Sequence, residues 1–148
     1  MQISINENAP ASEWRQIFIM ASPEKVWQVL SAINHWPNWQ SSVTHARMEG
    51  SLAENTIFRW KASRVRFTSR LHTVIPGQIL GWTGKTLGAS AIHNWYLEPG
   101  DNGTLVRVEE SLQGFLPSLM KKWFTKDLKN GMKKSLKELR AASEKTSK

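Results

Sequence analysis

Residues 104–114, TLVRVEESLQG, alternate Val106, Val108 and Leu112 with Arg107 and Glu109. In a half-buried strand the apolar set faces the core, and here that set carries Glu110 with it. An isolated buried charge is prohibitively costly, so an inward carboxylate is paired, hydrogen-bonded, protonated or solvated at the strand end. The preceding segment, residues 88–98, offers His93, Trp95 and Leu97 as its inward set. A hairpin turn within residues 99–103 joins the two, and an even-length loop places His93 opposite Glu110 in one register and Trp95 opposite Glu110 in the next. An odd-length loop would mismatch the faces, because pleat parity is strict. Either way an acid and an imidazole share the inner surface. Such a pair can orient a ligand hydroxyl or act as acid and base. The structural alternative is a contact of Glu110 with His93, Ser69 or a helix residue.

Other chemistries are poorly served. The chain has no cysteine, which removes thiolate catalysis, disulfides and cysteine metal sites. Four histidines are scattered without an HxH or HExxH spacing, so no metal site is expected. His35 and His45 flank a turn and a strand, and His72 is expected to point outward. There is no G-x-S-x-G, and Ser69 lies within a strand, so a serine nucleophile has no support. No cofactor is expected.

The second signal is aromatic. Eight tryptophans stand against one tyrosine. Strand alternation turns Trp60, Phe67, Trp82 and Trp95 inward, and helical spacing adds Met120, Trp123 and Phe124. They either line a ligand site, which is typically apolar with a few placed polar groups, or simply fill the core. Trp27 belongs to a helix stripe and is structural. Trp36 and Trp39, in SPEKVWQVLSAINHWPNWQ, sit in a short turn that has no obvious need of two large rings.

The elements that position these residues follow from periodicity. Residues 14–21 read as a strand. Ser22 caps a helix with Pro23 in its first turn, whose stripe is Val26, Trp27, Leu30 and Ile33; Asn34 and Pro37 end it. From residue 43 the period is two: Phe58 and Trp60 against Arg59 and Lys61, then Val65, Phe67, Ser69 and Leu71 against Arg66, Thr68, Arg70 and His72. IPGQ is a turn, and ILGWTGK is a further strand. From Pro117 the stripe Met120, Trp123, Phe124, Leu128, Met132, Leu136 and Leu139 marks a helix of about 24 residues, roughly 36 Å long. One domain over residues 1–148 is expected, with its core at about 14–140 and loosely ordered tails at 1–12 and 142–148.

The net charge is +8, but residues 117–148 carry ten basic and three acidic side chains, leaving +1 for the rest. Lysines alternating with an apolar stripe are usually the solvated face of a packed helix; the functional alternative is transient contact with an anionic membrane. Nucleic acid is not expected as a partner, since the aromatics face inward. The N-terminus has no signal-peptide pattern and no apolar run is long enough for a membrane span, so a cytoplasmic location is the expectation. Oligomeric state is left open.

This order, with ASPEKVWQVLSAINHWPNW early, HNWYLEP…NGTLVRVEESLQG late and a final amphipathic helix, resembles the START/Bet v1-like superfamily, and within it the polyketide cyclase/dehydrase-like (SRPBCC) group. The resemblance implies an α+β helix-grip fold: a curved seven-stranded antiparallel sheet wrapping a long C-terminal helix, with two short helices between strands 1 and 2 and a cavity between sheet and helix. It places Trp36 and Trp39 at the cavity wall or mouth. The region GSLAENT lacks the glycine-rich loop of the plant allergen members, which argues against the hormone-binding branch. Three functions stay open. The favoured one is binding or transport of a small hydrophobic ligand, such as a lipid or polyketide, at Trp36, Trp39, Trp60, Phe67, Ser69, Trp82, His93, Trp95, Glu110, Met120, Trp123 and Phe124. The alternatives are a cofactor-independent cyclase, aromatase or dehydrase using Glu110 and His93, and an interaction module resembling the chaperone-activator branch, with a collapsed cavity and an exposed apolar patch.

Overall fold

The computed structural model describes residues 2–145. Its frame is one seven-stranded antiparallel sheet in the order β1-β7-β6-β5-β4-β3-β2. The strands are β1 (Ala11–Ile19), β2 (Val43–Met48), β3 (Ile57–Ala62), β4 (Val65–Ile75), β5 (Ile79–Thr86), β6 (Ala89–Gly100) and β7 (Gly103–Gln113). Five of the six neighbour pairs are hairpins of consecutive strands. The exception is β1, which pairs with β7 and so lies at the edge opposite β2.

The chain crosses between those edges through α1 (Pro23–Ser31) and a 3-10 turn (Ile33–Asn38). Ser22 Oγ accepts a hydrogen bond from Lys25 N at 3.2 Å, satisfying one of the free donors of the first turn of α1. Trp36 then anchors the turn: its indole N–H donates to Leu30 O at 2.9 Å, and the ring is 1% exposed. A large ring in a short turn is thus a wedge of the core.

After the short helix α2 (Phe115–Leu119), α3 (Lys121–Glu144) runs along the inner side of the sheet. It buries Leu128, Met132, Leu136 and Leu139 against α1 and β1. The stripe was expected from Met120 onward; burial begins only at Leu128, and Met120 and Trp123 are exposed. Polar ties hold the C-terminal half. Glu138 accepts from Ser41 N at 3.1 Å, and Glu144 accepts from Met20 N at 2.7 Å. Ser143 is buried, so residues 142–144 belong to the packed helix and not to a loose tail; residues 146–148 lie outside the described residues.

The outer face of the sheet departs from expectation. A bulge between Leu71 and Thr73 sets two consecutive residues, His72 and Thr73, on that face. His72 does point away from the core, yet it is buried, because residues 2–6 are laid across it. Ile3 N–H donates to His72 Nδ1 at 3.2 Å, Asn94 Nδ2 donates to Ile3 O at 2.8 Å, and Asn6 N–H donates to Ser111 Oγ at 3.1 Å. Glu109, expected in water, is covered as well and accepts from Asn94 Nδ2 and Tyr96 OH, each at 3.1 Å. The reason is that an extended backbone replaces water as the partner of the outer polar groups. Burial holds the His72 imidazole below its ordinary pKa, against an opposing hydrogen bond with Asn94.

Candidate functional site

Between the inner face of the sheet and α3 lies a cavity of about 580 Å³. Its aromatic wall comes from six elements: the 3-10 turn, β3, β4, β5, β6 and α3. Trp36 from the 3-10 turn sits edge-on to Phe58 and Trp60, with centroids 5.5 and 5.4 Å away, and tilted on Trp82 at 5.4 Å. Trp60 stacks on Phe67 at 4.8 Å. Trp95 and Trp123 complete the lining. Such rigid rings hold a wall in place with little rotamer freedom to lose.

The register of β6 on β7 puts His93 opposite Glu110, the first of the two pairings read from the sequence. The Asp101–Asn102 turn has the even length this needs, and Asn102 takes the positive φ of 62°. His93 Nδ1 and Glu110 Oε1 are hydrogen-bonded, and both side chains are mostly buried, at 16% and 15% exposed. The imidazole lies flat on Trp82, with rings 4.5 Å apart and 5° from parallel, and Trp95 is tilted beside it at 5.8 Å. With Nδ1 engaged by the carboxylate, Nε2 is the remaining polar atom of the ring. That Nε2 is buried without a partner, as is the indole N–H of Trp95. A buried polar atom left unpaired costs about 1–3 kcal/mol, so a ligand that reaches either atom gains more than contact area.

A third titratable group was missed. Asp127 on α3 lines the same cavity, and its carboxyl is held above the ordinary aspartate range, first by burial and then by the negative charge of Glu110. In the sequence it sits among lysines and reads as part of a solvated face. The available signal was its place four residues after Trp123, which puts both on one helix face. Gly131 continues that face: it lines the cavity, and a Cβ there would meet nothing within 4 Å.

Trp36, Trp60, Phe67, Trp82, His93, Trp95, Glu110 and Trp123 therefore meet at one cavity. Ser69 instead lines a smaller recess of about 100 Å³ beyond His93 and Glu110. It also accepts a hydrogen bond from Trp60 Nε1 at 3.1 Å. Besides Ser69, three of the expected residues are not among those lining the main cavity. Trp39 is half-buried against the core, because the 3-10 turn can aim only one of its two indoles inward. Met120 caps α2 and is exposed. Phe124 is turned edge-on to Trp123, 4.9 Å away and at 82°. Among the described residues no cluster of three His, Asp or Glu side chains is arranged to hold a metal ion, and no helix is long and apolar enough to cross a membrane.

Among solved structures, a hypothetical protein of Helicobacter pylori is similar with a TM-score of 0.83 at 18% identity, over 97% of this chain and 98% of that one. A START superfamily protein of Mycobacterium smegmatis is similar with a TM-score of 0.79 at 13% identity, over 90% and 97%. The di-domain ARO/CYC StfQ of the steffimycin biosynthetic pathway matches with a TM-score of 0.74 at 15% identity, over 90% of this chain and half of that one. These likenesses carry the helix-grip fold. Among curated proteins no sequence matches this chain. The family profile described as polyketide cyclase/dehydrase and lipid transport matches residues 14–144. The chain belongs to that family.

Proposed function

We propose that this protein binds a small hydrophobic ligand, of lipid or polyketide type, in the cavity between sheet and α3, and orients it through the His93–Glu110 pair. The observation that carries this reading is a tryptophan-walled space of about 580 Å³ with a hydrogen-bonded acid–imidazole pair in its lining. Ligand pockets run from about 300 to 1,000 Å³ and are apolar with few polar groups. Covering about 250 Å² of apolar ligand surface would supply ~6 kcal/mol before the costs of association. The family description, which joins cyclase and lipid transport, supports a hydrophobic ligand without choosing between carriage and turnover. An open cavity is also the opposite of the collapsed interior expected for an interaction module.

The second reading is a cofactor-independent cyclase or dehydrase. It is favoured by Asp127 facing Glu110 within the same cavity, since a carboxyl held above the ordinary aspartate range beside a second carboxyl is the arrangement from which a proton donor is built. Native mass spectrometry of protein purified from its own host, followed by denaturing extraction, tests the first reading. A lipid-like molecule in near-stoichiometric amount is expected. A candidate polyketide that is converted by the parent protein, with conversion lost but binding kept in Glu110→Gln, would replace carriage by catalysis.

A further inference from the structure

We infer that the end of the molecule formed by the β5–β6 turn and the α2–α3 junction is a docking surface for anionic lipid bilayers. The inference stands on the surface itself and does not depend on what the cavity holds. α2 is seated on the turn: Leu116 N–H donates to Gly88 O at 3.1 Å. A Cβ at Gly88 would come within 2.8 Å of Leu116 Cγ, and Gly88 has a φ of +77°. Leu116 is the anchor. Its neighbours project the other way, with Leu87 at 92% exposed, Phe115 at 73%, Leu119 at 69%, Trp123 at 55% and Met120 at 44%. Isolated exposed apolar residues are ordinary on a soluble protein. Five large ones gathered on two adjoining segments make a patch of the kind that marks an interaction site.

Charge selects the occupant. Residues 85–93 and 114–126 contain Lys85, Lys121, Lys122 and Lys126 and no aspartate or glutamate. All four lysines are exposed. A second copy of this chain would bring the same four cations against them, on a molecule already at +8. A bilayer with anionic headgroups offers both complements at once: negative charge at the depth of the ammonium groups and hydrocarbon beneath for the apolar tips, with tryptophan favoured at the boundary. The flank of α3 beyond Lys126 lacks this combination, since among the described residues it exposes no large apolar side chain. Trp123 belongs both to the patch and to the cavity lining, so the docked face borders the cavity.

Because the chain has no cysteine, one introduced thiol reports one place. Leu119→Cys and Asp101→Cys, at opposite ends of β6, would each carry an environment-sensitive fluorophore. Each would be mixed with vesicles of phosphatidylcholine alone or with about 30 mol % phosphatidylglycerol. The expected result is a blue shift at residue 119 only, with the anionic vesicles only, and reversed by salt. Lys121→Glu/Lys122→Glu should weaken vesicle partitioning by at least about tenfold, whereas Lys133→Glu/Lys137→Glu, with the same charge change three turns along α3, should weaken it far less. Circular dichroism checks that each variant is folded. Absence of a shift at residue 119 overturns the inference. Equal loss in the two lysine pairs overturns it in favour of the helix flank. A vesicle-independent dimer abolished by Leu119→Asp overturns it in favour of a second copy of the chain.

Discussion

Glu110 shows how much one inward carboxylate constrains. Its burial demanded a partner, and the partner is His93, stacked on Trp82 with Trp95 beside it. Glu110→Gln keeps the shape and one acceptor oxygen but removes the charge, so the fold should survive. Affinity for a hydroxyl-bearing ligand should fall by about tenfold, the worth of one charge-assisted hydrogen bond, as read by calorimetric titration. Asp127 moves stability in the other direction. Its pKa is higher folded than unfolded, so the native state holds that proton more tightly, and ionisation subtracts from stability as pH rises above about 4. Asp127→Asn should therefore melt at a higher temperature than the parent at neutral pH. The difference should vanish at about pH 3, where both chains are neutral at this position.

At the scale of elements, the 3-10 turn and the N-terminal segment carry the tests. Trp36 is a fully buried wedge, and Trp36→Ala should lose about 3–5 kcal/mol in a denaturant titration. Gly131 is a helical glycine facing open space, so Gly131→Ala should gain about 0.5–1 kcal/mol by helix propensity alone. The segment at residues 2–6 is held through a neutral histidine: Ile3 N–H needs the lone pair of His72 Nδ1. Because burial depresses the folded-state pKa, the unfolded chain takes up this proton first. The contribution is full above about pH 6.5 and is lost as pH falls below that value and through the depressed folded-state pKa. Hydrogen exchange at Ile3 and Asn6 should accelerate over that range, and His72→Gln should flatten the dependence. None of this was legible in the sequence. Residues 2–10 have no periodicity, and a two-residue bulge at His72 is set by the partner strand, not by local pattern.

For the whole molecule, the cavity links stability to occupancy. A ligand at about one hundred times its dissociation constant should add ~2.7 kcal/mol to unfolding, visible as a rise in melting temperature that Trp82→Ala reduces. The antiparallel strands, the long last helix and the inward faces of β6 and β7 were readable from the chain, because alternation and helical spacing are consequences of backbone geometry that each residue reports locally; the seven-stranded helix-grip wrap was what the family resemblance implied. Even the acid–imidazole neighbourhood was readable, since pleat parity left two registers and both put Glu110 inside. What only the tertiary structure decided is whatever depends on how far apart two elements stand. The angle of α3 leaves Leu128 as the first buried residue of its stripe, turns Trp123 to the mouth and Met120 to solvent, and brings Asp127 to Glu110. A stripe says which face is apolar; it does not say where along its length the opposing surface ends. That distance is fixed by the packing of α3 on β1 and α1, and it is what separates a filled core from a cavity.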